Sequence, residues 1–141
     1  SNSYFPLELV KNTRGYIEKV AEQACICYDI GLYDACLVMT RKMLETLIIE
    51  SFERHSISDK IKGSDGNFYY LSDLINYFVN ETKWNLSRNA KNSIPEIKRI
   101  ADLSAHNRRF IAKQHDVDKI KNDLRIVIEE LIHIIDYANW K

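Results

Sequence analysis

Arg99 and His106, in the stretch Arg99-Ile-Ala-Asp-Leu-Ser-Ala-His106-Asn107-Arg108-Arg109, are the residues of this chain whose types and spacing best suit chemistry. A histidine moves a proton near neutral pH, and an arginine holds a phosphate in a planar fork. Seven helical positions turn the chain by about 700°, close to two full turns, so the two side chains share a face roughly 10 Å apart along the axis. Asn107, Arg108 and Arg109 follow directly. Such a set can present acid–base chemistry and positive charge to a phosphodiester. The same spacing also permits a purely structural reading. Arg99 can pair with Glu96 or Asp102, one turn away on either side, and His106 can complement the negative end of a helix.

Little else in the sequence offers chemistry. His115 fits the first turn of a helix, His55 and His133 stand apart from other polar candidates, and Glu129-Glu130 reads as a solvated face. There is no glycine-rich phosphate loop, no Gly-x-Ser-x-Gly, and no carboxylate–histidine set at metal-ligand spacing, which argues against kinase, hydrolase-fold and metalloenzyme classes. Neither a metal nor a cofactor is expected. Cys25 and Cys27 lie about 200° apart on a helix and do not readily share an ion. With Cys36 they are expected to be buried, reduced thiols of a cytoplasmic protein.

The 141 residues fit one domain, 1–141, with 45% hydrophobic and 28% charged content typical of a globular chain. Formal net charge is zero but uneven: −4 over residues 1–82, +6 over 83–125 and −2 over 126–141. The basic excess surrounds Arg99 and His106, as an anion-binding surface requires, although a solvated face of mixed charge has the same composition. No run approaches the roughly 20 apolar residues of a membrane span, and no leader precedes the first helix. Ser1-Asn2 resembles the remnant of a cleaved expression tag, so the natural chain is expected to begin earlier or to belong to a longer protein.

The elements that must position these residues read as helices. A first covers about 7–30, with Leu9, Tyr16, Val20, Ala24, Cys27 and Ile30 on one stripe and Gly31 as its left-handed stop. A second runs about 33–55 through Cys36, Met39, Met43, Leu47 and Ile48, and its unrelieved run Leu44–Ile49 marks the most buried element. A loop follows at about 56–70, with the turn cluster Gly63-Ser-Asp-Gly66-Asn. A shorter helix from near Ser72 to Thr82 turns Leu71, Leu74, Ile75 and Phe78 inward. Ser87 or Ser93 opens the next helix, and Ser93-Ile-Pro95-Glu96 has the form of a capping box with proline in the first turn. Its inward residues are Ile97, Ile100, Ala101 and Ser104, and it ends around Ala105–Arg109. The last helix, about 116–139, repeats Val117, Ile120, Leu124, Val127, Leu131, Ile134 and Ala138 at alternating spacings of 3 and 4, a seam for antiparallel packing. Ile128, Ile132 and Ile135 add a second flank, so this helix is either central or half of a dimer surface. The architecture expected is an all-α up-and-down bundle of four to five helices.

That order, with Tyr33-Asp-Ala-Cys-Leu-Val-Met-Thr-Arg-Lys-Met-Leu-Glu45 on the second helix and Arg99-x6-His106 before a long amphipathic helix, resembles the HEPN superfamily. The name refers to its occurrence in higher eukaryotes and prokaryotes. Within it the chain is similar to a bacterial branch often found near restriction–modification and other defence genes. The resemblance covers nearly the whole chain and implies a metal-independent endoribonuclease, working as a homodimer whose two Arg-x4–6-His motifs face one cleft. It implies catalytic roles for Arg99 and His106. Beside them Arg108 and Arg109 are expected to bind flanking phosphates, and Asn107 to orient the histidine or to contact the phosphate. The residue after the family's arginine is often Asn, Asp or His, and here it is Ile100. Other members of the superfamily are non-catalytic, so the alternative expectation is an interaction module that binds a protein partner, encoded nearby, or a nucleotide.

Overall fold

The helical periodicity is realised in a computed structural model that describes residues 2–140. Among these residues there are five α-helices and no strand: α1 (Gly15–Asp29), α2 (Tyr33–Arg54), α3 (Leu71–Asn80), α4 (Arg88–His106) and α5 (Gln114–Ile135). Single 3₁₀ turns occupy Leu7–Val10, Ser58–Ile61 and Tyr137–Asn139. α2 is the central element, packed against α1, α3, α4 and α5, as its run from Leu44 to Ile49 predicts. None of the described helices is long and apolar enough to cross a membrane.

Polar links at the helix ends set their directions. Asp34, at the start of α2, accepts the Ala112 N–H ahead of α5 at 3.1 Å. At the far ends of the same two helices, His55 Nε2 donates to the Ile134 carbonyl at 3.0 Å, so α2 and α5 run parallel. Ser87, before α4, bonds Glu130 near the end of α5 through its N–H at 2.9 Å and its hydroxyl at 2.5 Å, which makes α4 antiparallel to α5. Gly31 takes φ +82° after α1. The Leu32 N–H then reaches the Cys27 carbonyl at 2.8 Å and the Gly31 N–H that of Tyr28 at 3.2 Å, the Schellman closure that a glycine permits.

Two helices differ in their bounds from the expected ones, and a third settles the choice between two expected openings. The helix expected over 7–30 is broken at Lys11–Arg14: Asn12 adopts φ 66° and the Thr13 hydroxyl folds back on the Val10 carbonyl at 2.5 Å. Local side-chain bonding of this kind competes with helix, and the apolar spacing across the break does not reveal it. α4 opens at Ser87, one of the two expected positions, and the capping box read at Ser93 does not form. The Ser87 hydroxyl accepts the Ala90 N–H at 3.0 Å, whereas Ser93 Oγ donates backwards to the Asn89 carbonyl at 2.7 Å. Pro95 therefore lies inside the helix, with no N–H for the Lys91 carbonyl, and burial of Ala90, Ser93 and Ile94 holds the turn that precedes it. Ser87→Ala is expected to lower stability by about 1 kcal/mol, measured as a shift in the urea midpoint, because an orphan amide loses its acceptor. The last helix starts at Gln114 and stops at Ile135, where Asp136 takes φ 54°. Ala138 consequently lies exposed beyond the seam.

Burial follows the predicted seams with two corrections. Leu44, Leu47, Leu124, Val127 and Leu131 are all fully buried, and so are Val117 and Ile120. Met39, Ser104 and Ile134 are only half-buried. On α1 the core stripe is Ile17, Ala21, Ala24, Cys25 and Tyr28, while Tyr16 and Ile30 face solvent. Two apolar stripes lie side by side on this helix, and the one that carries two alanines lets α2 approach closely. The extra flank of α5 is spent within the chain, since Ile128 and Ile135 are buried and Ile132 is half-buried. α5 is thus a central helix, and its width is no evidence for a dimer surface. Cys25 and Cys36 are buried and Cys27 half-buried, all three free. Burial pushes the Cys25 thiol up to about 11 and Cys36 up to about 12, which keeps them protonated and unreactive.

One charged group sits in this core. Glu50 of α2, 4% exposed, accepts the Tyr137 hydroxyl at 2.7 Å and also the Tyr16 hydroxyl. The Arg14 guanidinium lies over the rings of Tyr137 and Trp140 at 5.2 and 4.7 Å. A buried carboxylate is tolerated only with donors of this kind.

Candidate functional site

The last two turns of α4 and the reverse turn that follows carry the site. α4 buries Ile94, Ile97, Ile100 and Ala101. The face that holds Arg99 and His106 is thereby left to solvent. At its end the Asn107 N–H bonds the Leu103 carbonyl at 3.1 Å, and Asn107 Oδ1 accepts the Arg109 N–H at 3.0 Å. This side-chain turn reverses the chain, and Ala112, pinned to Asp34, fixes where the reversal docks.

An open concavity of about 760 Å³ results, lined by Arg99, Asp102, Leu103, His106, Asn107, Arg108 and Arg109. All five residues singled out by the sequence therefore border one surface. A second hollow of about 420 Å³ adjoins it through Asp102 and His106, and brings in Arg41 from α2, Lys98 from α4 and Tyr70-Leu-Ser72 at the head of α3. His106 lies at the junction of the two. Ile100 is packed in the core, so the position after Arg99 does not face the site at all.

The charges here are not all equally available. Arg99 is held by Glu96 in a two-pronged contact, Nε to Oε2 at 3.0 Å and Nη2 to Oε1 at 2.7 Å. Of the two partners open to Arg99, Glu96 is the one it uses. Both groups are well exposed, and a solvated pair of this kind yields readily to a competing anion. Asp102 is engaged differently: Arg41 Nε reaches its Oδ1 at 3.1 Å and Lys98 bonds its other oxygen. Partial burial pushes the Asp102 carboxyl up, but hydrogen bonds from Lys98 and Arg41 outweigh this and hold it below the usual carboxylate range. Arg41 and Lys98 thus share one carboxylate, which offsets only one of their two charges. His106, Arg108 and Arg109 have no side-chain hydrogen bond or ion pair among the described residues, which leaves them free for a ligand.

Sequence reasoning missed Arg41, Lys98 and Tyr70. Lys98 and Asp102 stand four positions apart, a readable helix pair, but Arg41 and Tyr70 arrive through tertiary packing and leave no local signal. Tyr70 is 86% exposed, with a ring face open beside the second hollow. Among the described residues no three His, Cys, Asp or Glu side chains converge to hold a metal ion. The site can therefore offer one titratable imidazole, cationic forks and an aromatic face. Set against known proteins, the chain matches no family model, no curated protein and no solved structure.

Proposed function

We propose that this chain is a metal-independent endoribonuclease of the HEPN type. The observation that supports it most is the convergence of Arg99, His106, Asn107, Arg108 and Arg109 on one open concavity at the end of α4. RNA carries its own nucleophile. In the proposed reaction the 2′-oxygen attacks phosphorus as its proton passes to a base, the P–O5′ bond breaks, and the departing 5′-oxygen takes a proton. The products are a 2′,3′-cyclic phosphate and a 5′-hydroxyl.

His106 supplies one of the two proton transfers, as general base or general acid. Arg99 exchanges Glu96 for the non-bridging oxygens and holds the developing charge. Arg108 and Arg109 bind flanking phosphates, which gives a salt-dependent and sequence-blind affinity. Asn107 spends its carbonyl oxygen on the turn and keeps its amide hydrogens for a phosphate. Tyr70 offers a stacking face to a neighbouring base. The concavity is open on one side. A homodimer that brings a second copy of α4 across it would supply the opposite wall and the second histidine, as the family resemblance implies.

The test is single-stranded RNA incubated with the protein in EDTA, with the product ends identified. Cyclic phosphate ends, undiminished by the chelator, support the reading. Arg99→Lys should reduce cleavage at least about ten-fold, because an ammonium cannot reproduce the bidentate grip. A second reading, a non-catalytic module that binds a partner protein or nucleotide, is favoured by the Glu96 clamp that occupies Arg99. Absence of cleavage together with measurable binding would select it.

A further inference from the structure

A second concavity lies at the opposite end of the bundle. The turn at Lys11–Thr13, the end of α2 and the end of α5 enclose about 510 Å³. Arg41 borders the site described above and Arg54 borders this one, thirteen residues or about 20 Å further along α2. Lys11, Arg54, His55 and His133 all line it, and Asp136 is the one carboxylate among its lining residues. Asp136 Oδ2 is already engaged by the Asn139 amide at 2.7 Å.

Cations at helix C-termini ordinarily answer the carbonyls that end the helix. Here four of those carbonyls have partners of another kind. Phe52 O and Glu53 O accept from Ile57 and Ser56, Ile132 O accepts from Asp136, and Ile134 O accepts from His55. The cations are left over. The side chains of Lys11 and Arg54 line the hollow and have no hydrogen-bond or ion-pair partner among the described residues. Ile132, Ile134 and Tyr137 form an apolar wall beside these donors.

We propose that this hollow is a phosphate-monoester site, with Arg54 as the fork and Lys11 and His133 as flanking donors. A tetrahedral dianion accepts from several directions at once, which suits donors that arrive from three separate segments. The volume exceeds that of a bare phosphate ion and leaves room along the apolar wall for the remainder of a nucleotide. The site is independent of RNA cleavage, and so is its test.

Inorganic phosphate, AMP and adenosine are titrated calorimetrically into the full chain. Phosphate or AMP should bind and adenosine should not. Binding of AMP alone identifies a nucleotide site, and binding of both equally identifies the phosphate as the recognised group. Arg54→Met should weaken binding at least about ten-fold, the loss expected for a charge-assisted contact. The double variant Lys11→Met/His133→Gln alters exposed side chains only, so it should weaken binding similarly with an unchanged unfolding midpoint. It decides the matter should Arg54→Met fail to fold. Wild-type protein that binds neither phosphate nor AMP at millimolar concentration, or variants that bind as wild type does, would overturn the proposal.

Discussion

Replacing His106 with alanine should leave the chain folded and lower cleavage of single-stranded RNA by about 10²–10⁴-fold, the range for a positioned acid–base group. The expectation is asymmetric by construction. His106 is the last residue of α4, exposed, with no side-chain partner among the described residues, so its removal opens no cavity and breaks no bond. Its whole contribution would lie in the reaction. The measurement is a rate comparison of wild type and His106→Ala on a labelled RNA, with circular dichroism as the control for fold. Equal rates would move the chemistry to another residue, and no cleavage by either protein would favour the binding-module reading.

Leu124→Ala should lower stability by about 2–5 kcal/mol, the loss of transferred methylenes together with the cavity they leave. Leu124 is fully buried at the middle of α5, a helix that packs against both α2 and α4. The urea midpoint should fall markedly while the slope stays constant. A midpoint that does not move would show that α5 does not use this seam. The pair of variants is complementary: one should remove activity without stability, the other stability without touching the site.

The parts of this fold that could be read in advance are those written in one helix at a time. The 3–4 repeat of α5 places Val117 through Leu131 correctly, because a seam of β-branched and leucine side chains at that spacing has only one low-energy orientation against a bundle. Gly31 likewise announces the end of α1. Errors arise where a local or tertiary interaction overrides periodicity. Asn12 and Thr13 break a helix whose apolar stripe continues across the break, and Pro95 is carried inside α4 because residues ahead of it are buried. The candidate site divides the same way. Arg99 and His106 share a face because seven residues make two turns, whereas Arg41 and Tyr70 reach that face from α2 and from the head of α3, separations that no spacing rule encodes.

Glu50 has a consequence for how the chain comes apart. Short turns outside the helices usually open first, in small fluctuations that leave the rest intact. Here Tyr137, in the 3₁₀ turn that follows α5, donates to a carboxylate rooted in the central helix, and Tyr16 of α1 donates to the same group. Opening that turn would strip a buried carboxylate of one of its donors and admit water to the interior of α2. The turn after α5 is therefore coupled to α1, across more than a hundred residues of sequence. Amide exchange at Asn139 and Trp140, whose N–H groups bond the Asp136 and Tyr137 carbonyls, should track the slow, global opening of the molecule and not a fast local breathing of the turn.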